Sequence, residues 1–553
     1  MGRAAFSGED APLQRETGGP SCTTLTGGLL VSDAMALPAT DIVANYAKAW
    51  PDKPAVVEDA TTLTYDQFNR SANRVAAALV ALGLRAGQKL VWCGQNGIEV
   101  VTLVAAARKA GAVSVPLNYR LSPDEAAYVI DNSDADVVLF DVEQTAQLTT
   151  APAACPKVVH WVAFRCGAEE VPDWAEHLES LAEVAGDDDV TPAGDQAEAG
   201  ATMIYTSGTT GKPKGALRRG GDPAVAAALV AHIGFVPEDV YLTTGPLYHS
   251  GPLGFMGIVS ALGGTVIVQR HFGAEAWLAL VERHRVTTTF SAPTPIRRVV
   301  DLPASTRDGF DYSSMARMVA NAAPWPFDLK RRYVEAFGAR SLWEVYGSTE
   351  LGVNTVLRPE DQMAKPGSCG RPAPLLEVAL FDDDGARVEA VGEPGEVFVR
   401  TGYAFDTYYK AEDQYEESRR GDWLTVGDIA YRDDEGFYFI CDRKKDMIIS
   451  GGMNVYPAEV ESVMVAHTAV ADAAVFGIPS EDWGEAVHAV ICTYPGQEVS
   501  DDELTAMARE HLASYKVPRS ITRIDEIPRT GSGKMLKREL RAPFWEGRAS
   551  QVG

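Results

Sequence analysis

The densest concentration of potentially reactive residues in the chain is the run Tyr-Thr-Ser-Gly-Thr-Thr-Gly-Lys-Pro-Lys-Gly at positions 205–215. Its glycines permit backbone conformations in which several N–H groups converge on one anion, while hydroxyls add donors and lysines add positive charge. We therefore predict a loop between two strands that grips a polyphosphate. The candidate residues are Thr206, Ser207, Gly208, Thr209, Thr210, Gly211, Lys212 and Lys214. The run is not a Walker A loop, because Pro213 follows Lys212 where serine or threonine is required.

A second reactive segment is Glu-Val-Tyr-Gly-Ser-Thr-Glu at positions 344–350. A carboxylate such as Glu350 is repelled by a polyphosphate unless a hard cation lies between them, so this residue is a candidate magnesium ligand. Alone, the segment is also consistent with a helix start capped by serine or threonine. In the same way, a plain turn is the alternative for residues 205–215, although so dense a mixture of glycine, hydroxyl and lysine argues against it.

Further motifs follow in a fixed order. Asn-Ala-Ala-Pro lies at 321–324, Trp-Leu-Thr-Val-Gly-Asp at 423–428, a basic and glycine-containing stretch at 442–454, and Pro-Arg-Thr-Gly-Ser-Gly-Lys at 528–534. Together with the first two segments, they resemble the motifs of the adenylate-forming superfamily. This superfamily includes acyl-CoA synthetases, the adenylation domains of peptide synthetases and beetle luciferase. The resemblance extends from about residue 40 to residue 540.

The resemblance implies an acyl-CoA synthetase that uses ATP, Mg²⁺ and coenzyme A. A carboxylate would attack the α-phosphorus of ATP to give an acyl-adenylate and pyrophosphate, and the coenzyme A thiol would then displace AMP. By matching positions, Lys534, Thr349 and Glu350 are the expected catalytic residues, and Glu350 and Thr206 the expected metal ligands. Besides the phosphate loop, nucleotide contacts are expected from Asn321, Ala322, Ala323, Tyr346, Gly347, Asp428 and Arg443. Lys445 matches the hinge between domains, and Gly451 and Gly452 match the tunnel for coenzyme A.

The expected substrate pocket comprises Tyr248, His249, Gly251, Gly254 and Asn321. Asn321 departs from the family pattern, in which glycine is common, and we expect its side chain to reduce the depth of the pocket. For the glycines, two interpretations stay open: they leave space for substrate, or they permit tight helix packing. A medium-chain, aromatic or ring-containing acid is the expected substrate.

Composition excludes several other classes of protein. The 553 residues include 50 basic and 76 acidic ones, and the resulting net charge of −26 argues against nucleic-acid binding. Any nucleotide site must therefore be locally basic or assisted by a cation. No apolar run is long enough to span a membrane. The seven cysteines form no Cys-x-x-Cys pair, which indicates reduced thiols and a cytoplasmic location. Residues 1–34 are expected to be a flexible tail without signal-peptide features.

Hydrophobic patterning predicts an α/β protein. Strands at 90–93, 113–115 and 137–140 alternate with helices, one of them capped by Ser122 before Pro123, which favours a doubly wound parallel sheet. A similar alternation recurs at 222–345, and short hairpin-like strands follow at 376–440. We predict an N-terminal adenylation domain over 35–444 and a mobile α+β C-terminal lid over 445–553. The lid would hold strands at 473–476 and 487–492 and a helix at 501–512.

Alternatives within and outside the superfamily stay open. An adenylation domain for amino acids would need an acid in the pocket, and positions 247–255 have none. A luciferase-like monooxygenase shares the same motifs. A synthetase that passes its adenylate to a partner enzyme is the more plausible alternative, and the protein could act as a monomer or as a homodimer. A degenerate nucleotide-binding scaffold would be expected to lack Lys534 or Glu350, and both are present.

Overall fold

The computed structural model describes residues 41–192, 194, 200–206, 212–323, 325–450, 453–480, 482–529 and 535–546. In these ranges the first nine strands are β1 (Pro54–Glu58), β2 (Thr61–Thr64), β3 (Lys89–Cys93), β4 (Val113–Leu117), β5 (Ala135–Asp141), β6 (His160–Phe164), β7 (Glu176–His177), β8 (Thr202–Thr206) and β9 (Lys214–Arg218). The next seven are β10 (Val240–Thr243), β11 (Thr265–Val268), β12 (Thr288–Ser291), β13 (Arg317–Ala320), β14 (Leu342–Ser348), β15 (Gly352–Leu357) and β16 (Arg371–Pro372).

The strands of the C-terminal third are β17 (Glu377–Phe381), β18 (Gly395–Arg400), β19 (Thr407–Tyr409), β20 (Arg419–Arg420), β21 (Trp423–Leu424), β22 (Asp428–Arg432), β23 (Tyr438–Arg443), β24 (Ile448–Ser450), β25 (Met453–Val455), β26 (Val470–Ser480), β27 (Gly484–Thr493) and β28 (Ser520–Arg523). The helices before the phosphate loop are Ile42–Ala49, Tyr65–Ala81, Ile98–Lys109, Pro123–Asn132, Thr145–Leu148, Ala151–Ala154 and Leu178–Val184. Those after it are Pro223–Ile233, Ser250–Ala261, Ala274–His284, Pro293–Val300, Ala304–Arg307, Phe327–Phe337, Glu412–Glu417, Pro457–Val465, Asp501–His511 and Lys537–Trp545. No helix in the described part of the chain is long and apolar enough to cross a membrane.

Two large sheets form the body of the protein. The first has the order β16-β15-β14-β13-β12-β10-β11-β1-β2, and its run from β14 to β1 is parallel. The second has the order β19-β9-β8-β4-β3-β5-β6-β7, and its run from β8 to β7 is parallel. Parallel strands are buried on both faces, which explains their nearly continuous apolar sequences. This arrangement confirms the predicted α/β fold class.

Local signals read from the sequence reappear in these sheets. The Ser122 side chain accepts a hydrogen bond from the backbone N–H of Glu125, and the Glu125 carboxylate accepts one from the Ser122 N–H, so the predicted cap is a complete capping box. The predicted hairpins also form, because β18 pairs antiparallel with β17 and with β22, which in turn pairs with β23.

The C-terminal segment forms its own small sheet, in the order β25-β24-β27-β26 with β28 beside β27. The predicted strands and helix are present, but β26 and β27 extend well beyond their apolar centres, since the long antiparallel ladder continues to pair their polar ends. This sheet has a separate hydrophobic core, which includes Leu504 and Ala508 of the predicted helix. The division at residues 444 and 445 stays a prediction, and it falls between the end of β23 and the start of β24.

Strand pairing brings distant motifs together. β8 and β9 form an antiparallel pair that flanks the phosphate loop, and β19 adds to the outer edge of β9. β14 ends at the second reactive segment, while the pairing of β22 with β23 places Asp428 opposite Arg443. In open α/β sheets, ligands bind where parallel strands end at their carboxyl side, and β8 and β14 both end there.

Candidate active site

The two large sheets meet at the Glu350 carboxylate. Thr206, the last residue of β8, donates a hydrogen bond from Oγ1 to Glu350 Oε1 at 3.2 Å. The Glu350 side chain, just after β14, belongs to a residue that is only 8% exposed. The structure thus brings together the two residues that the family resemblance names as metal ligands.

Tyr408 is a third member of this group, and the sequence analysis missed it. Its hydroxyl donates to the same Glu350 Oε1 at 3.0 Å, and the Lys214 Nζ lies 5.3 Å from the centre of its ring. Tyr408 reaches this position because β19 pairs with β9, which places Tyr408 opposite Ala216. Burial and the neighbouring Glu350 carboxylate raise the pKa of Tyr408, so its hydroxyl stays a hydrogen-bond donor.

Thr349 is held from two sides. Its Oγ1 lies 2.8 Å from the Ser250 Oγ, at the start of the helix Ser250–Ala261. Its backbone carbonyl accepts a hydrogen bond from the Arg218 guanidinium at 2.9 Å. Thr349 therefore lies where the phosphate-side strand β9, the β14 end and the helix that follows His249 come together.

Tyr346, Asp428 and Arg443 form a second polar group. The Tyr346 hydroxyl donates to Asp428 Oδ2 at 2.6 Å, and Arg443 Nε lies 3.0 Å from Asp428 Oδ1. Burial, together with the Asp428 carboxylate, raises the pKa of Tyr346. All three were assigned to the nucleoside by resemblance, and the structure places them in mutual contact. A carboxylate can accept hydrogen bonds from both hydroxyls of a ribose.

Four basic side chains lie around these two groups despite the net negative charge of the chain, and the acidic side chains of Asp446 and Glu417 lie nearby. Burial lowers the pKa of Lys214, and it also lowers the pKa of Lys445. The charges that act on Lys445 include those of Arg443, Asp428 and Lys214, so the predicted hinge residue lies close to the predicted nucleotide site. The expectation of a locally basic site is met by Lys214, Arg218, Arg443 and Lys445.

Asn321 is held by the backbone around it. Its amide nitrogen donates to the Val345 carbonyl, and its amide oxygen accepts a hydrogen bond from the Ala322 N–H. Both polar atoms are therefore engaged with backbone, and they hold Ala322 in a left-handed conformation with φ of 69°. The side chain thus joins the end of β13 to β14, and its expected effect on the depth of the pocket stays a prediction.

The two pocket glycines differ in their surroundings. A Cβ on Gly251 would lie 2.3 Å from the Phe290 ring, whereas a Cβ on Gly254 would have no heavy atom within 4 Å. Tight packing thus explains Gly251, and open space surrounds Gly254. Gly254 lies one helical turn from Ser250, on the helix face that touches Thr349.

Tyr248 and His249 form the approach to this helix. Their ring centres are 4.2 Å apart, and Tyr248 also packs edge-on against Tyr119. The preceding residue, Leu247, donates its N–H to Asn96 Oδ1 at 2.9 Å, while the Asn96 amide donates to the Gly245 carbonyl at 3.1 Å. Asn96, which the sequence analysis did not identify, fixes the segment that carries both rings.

Gly347 and the remaining assigned residues complete the survey. A Cβ on Gly347 would lie 2.0 Å from the Gly352 carbonyl oxygen, so only glycine fits there. Ala323 is partly buried, and exposed Lys212 lies with its Nζ 4.9 Å from the Tyr128 ring centre. Eight assigned residues lie outside the described part of the chain: Ser207, Gly208, Thr209, Thr210, Gly211, Gly451, Gly452 and Lys534.

Comparison with known proteins agrees with this geometry. The family model described as "AMP-binding enzyme" matches residues 43–409, and the "AMP-binding enzyme C-terminal domain" matches residues 459–534. The chain belongs to the AMP-binding enzyme family. The predicted membership of the adenylate-forming superfamily is thereby confirmed, with the class of activity expected: an AMP-forming acid–thiol ligase of the acyl-CoA synthetase type. Enzymes of this family use ATP and coenzyme A.

Individual relatives span nearly the whole chain. Feruloyl-CoA synthase from Amycolatopsis sp. is 34% identical over 503 residues, covering 90% of this chain and 97% of the relative. The long-chain-fatty-acid–CoA ligase FadD13 of Mycobacterium tuberculosis is 31% identical, covering 89% and 96%. The solved structure of the amide bond synthetase McbA from Marinactinospora thermotolerans superposes with a TM-score of 0.82 at 26% identity, covering 92% of this chain and all of that one. By their names, these relatives differ in the carboxylic acid that they activate and in the group that receives the acyl chain.

The contrast between the two glycines predicts opposite effects on stability. Gly251→Ala should destabilise the protein by about 1–3 kcal/mol, because the new methyl group overlaps the Phe290 ring. Gly254→Ala, the matched control on the same helix, should be neutral or stabilising by up to about 1 kcal/mol, since alanine favours helix over glycine. Thermal melting of both variants checks this expectation. Equal shifts for the two variants would contradict it.

The lowered pKa of Lys214 predicts a pH dependence of ATP binding. A lysine whose pKa is lowered loses its charge at a lower pH than usual, so affinity for ATP should begin to fall at a pH below the usual lysine pKa of about 10.4. Lys214→Arg should retain affinity to a higher pH, because guanidinium stays charged. Calorimetric titration with ATP is the measurement, and Lys48→Arg, on a side chain that is 74% exposed and pairs with Asp189, is the control. A Lys214→Arg profile that falls as steeply as the wild type would be inconsistent with this role.

Proposed function

We propose that this chain carries out both half-reactions of a coenzyme A ligase on a ring-containing carboxylic acid. The observation that carries the proposal is the convergence of Thr206, Tyr408 and Glu350 beside the phosphate loop. A second polar group, formed by Tyr346, Asp428 and Arg443, supports the proposal. Asp428 and Arg443 belong to a different sheet from Tyr346, and the fold brings them together at the end of β14, where the nucleoside is expected.

The chemistry of the first group fits Mg²⁺. Glu350 offers a buried carboxylate and Thr206 a hydroxyl, and hard oxygen donors of this kind suit magnesium. Glu350 and Thr206 would hold the ion, which supplies neutralisation of polyphosphate charge when bound. Tyr408 donates to the same carboxylate oxygen as Thr206, so it would restrict the orientation of the Glu350 side chain.

In the first half-reaction, a carboxylate oxygen of the substrate attacks the α-phosphorus of ATP. The bond from that phosphorus to the bridging oxygen breaks, and pyrophosphate leaves with the electron pair. Because two anions must approach each other, positioning and charge stabilisation should dominate the barrier. We assign the α-phosphate to Thr349, the pyrophosphate to the loop at 206–214, and the developing charge to Lys534.

The acid would lie along the open face of the helix Ser250–Ala261. That face begins at Ser250, beside Thr349, and passes Gly254, where no heavy atom approaches the Cβ position. The adjacent side of the helix is closed by the Phe290 ring, which meets Gly251 and whose centre lies 5.3 Å from that of Phe255. A glycine at 254 leaves room for a ring beside the helix, and the similarity to feruloyl-CoA synthase supports an aromatic acid.

In the second half-reaction, the coenzyme A sulfur attacks the acyl carbon. The bond between that carbon and the phosphate oxygen breaks, AMP leaves, and the thiol proton passes to solvent. We propose that the lid, residues 445–553, turns about Lys445 relative to the body, residues 35–444, and presents Gly451 and Gly452 to the pantetheine chain. We also propose a cytoplasmic setting, which the free thiols of all six described cysteines support.

A second candidate function differs only in the acceptor. The likeness to McbA, whose printed name is amide bond synthetase, favours an enzyme that forms the adenylate and passes the acyl group to a nucleophile other than coenzyme A, or to a partner enzyme. The two candidates share the first half-reaction and are separated by the product of the second.

A panel of acids tests the proposal. Pyrophosphate release should be highest with hydroxycinnamic or benzoic acids, lower with medium-chain fatty acids, and accompanied by a thioester when coenzyme A is present. Release without any thioester would favour the second candidate. No acid-dependent release from any compound would reject both.

Lys534→Ala then tests the assignment of the lid lysine. The variant should lose pyrophosphate release by a factor of at least about 100, since the developing charge loses its partner. Its transfer of acyl groups from supplied acyl-adenylate to coenzyme A should persist. Arg538→Ala, which removes an exposed positive charge four residues away, is the control. Wild-type pyrophosphate release by Lys534→Ala would show that the assignment is wrong.

A further inference from the structure

Arg218, the last residue of β9, makes an unusual set of contacts for a strand-end arginine. One guanidinium nitrogen, Nη2, donates to the backbone carbonyls of Thr349 at 2.9 Å and Glu350 at 3.3 Å. The other, Nη1, donates to the Tyr403 carbonyl. The guanidinium also lies over the Tyr403 ring, 4.9 Å from its centre. The Arg218 side chain thus binds the backbone carbonyls of Thr349, which is assigned to the α-phosphate, and of Glu350, which is assigned to the metal.

These carbonyls lie between β14 and β15, where the ladder of sheet hydrogen bonds does not hold them. The pairing of β14 with β15 shifts register between Tyr346 and Gly347, and its paired residues end at Ser348 and Gly352. The main chain of this turn is also supported by the Ser348 hydroxyl, which accepts from the Leu351 N–H at 3.1 Å, and by the Phe405 N–H, which donates to the Glu350 carbonyl at 2.7 Å. Arg218 is therefore the group that ties both carbonyls of the turn to the phosphate-side strand.

The Tyr403 ring beneath Arg218 is itself closely confined. A Cβ on Gly221 would lie 2.3 Å from this ring, and a Cβ on Gly352 would lie 3.2 Å from it. Gly352 also has φ of 70°, which a side chain would strain. The ring consequently has little room to move, and the guanidinium stacked on it is fixed in direction. A guanidinium fixed in this way can hold the carbonyls that it contacts in a defined position.

We propose that Arg218 is a positioning residue for adenylate formation: it fixes the turn Thr349–Glu350 so that Thr349 reaches Ser250 while Glu350 reaches Thr206 at the end of β8. This inference rests on the proposed function. Strand β9 begins with Lys214 and ends with Arg218. The same strand would therefore position both the Lys214 side chain and, through Arg218, the turn Thr349–Glu350. Lysine cannot replace Arg218, since a single ammonium group lacks the planar fork that reaches three carbonyls.

The matched control is the next residue along the chain. Arg219 is exposed, and its Nε lies 3.3 Å from Asp406 Oδ1, so it carries the same charge without contact to the turn. Arg218→Gln, Arg218→Lys and Arg219→Gln would be compared in three measurements. These are acid-dependent pyrophosphate release, acyl transfer from supplied acyl-adenylate to coenzyme A, and calorimetric binding of Mn²⁺ with ATP.

We expect Arg218→Gln to lower pyrophosphate release about 100-fold, the loss typical of misplacing reacting groups by about 1 Å. Arg218→Lys should restore little of the lost pyrophosphate release. In both Arg218 variants, acyl transfer from supplied acyl-adenylate should be unchanged, and binding of Mn²⁺ with ATP should weaken. Arg219→Gln should resemble the wild type in all three. Arg218 variants that match Arg219→Gln, or that lose both half-reactions together with a lower melting temperature, would overturn the inference. Should the wild type activate no acid, the proposed function fails, and the Mn²⁺ binding comparison still decides the role of Arg218.

Discussion

The feature on which the site depends is a carboxylate, Glu350, buried at the meeting point of two sheets. A buried carboxylate is costly unless hydrogen bonds or cations compensate it. Here Thr206 and Tyr408 both donate to one of its oxygens, Oε1. Three strands bring these groups together. β8 ends at Thr206, β14 ends just before Glu350, and β19 pairs with β9 so that the Tyr408 hydroxyl reaches the Glu350 carboxylate.

A second constraint is the way that main-chain segments of the site are fixed by polar side chains from elsewhere. Arg218 holds the carbonyls of Thr349 and Glu350, Asn96 holds the segment before Tyr248, and Asn321 joins β13 to β14. None of these side chains has to touch a substrate. They fix the loops, and the loops present the reactive groups. Since such loops vary within a family while the sheets persist, the acid and the acceptor can change on one scaffold.

Sequence reasoning predicted the parts of the site that are local in the chain. The β8 and β9 strands flanking the phosphate loop, the segment 344–350, and Asp428 and Arg443 singly were all identified, because each lies within a short motif; that Asp428 faces Arg443 depends on the pairing of β22 with β23. Tyr408 and Arg218 were not identified, since their contacts cross 58 and 131 positions and depend on which strands pair. Neither residue carries a local signal: one lies in an ordinary aromatic strand and the other at a strand end.

The same limit applies to the backbone contacts of Asn321 and to the ambiguity at Gly251. A side chain larger than glycine was expected to occupy the pocket, yet the amide of Asn321 found two backbone partners that only the folded structure supplies. Gly251 and Gly254 are three residues apart and indistinguishable in sequence. The helix turns one toward the Phe290 ring and the other toward open space.

The central claim is that Glu350 makes polyphosphate binding depend on a divalent cation. Calorimetric binding of ATP with and without Mg²⁺, in the wild type and in Glu350→Gln, tests it most directly. The account predicts that Mg²⁺ strengthens binding to the wild type. In Glu350→Gln most of this gain should disappear, and metal-free ATP should bind at least as well, because a repelling charge is removed. An undiminished gain from Mg²⁺ in Glu350→Gln would contradict the account.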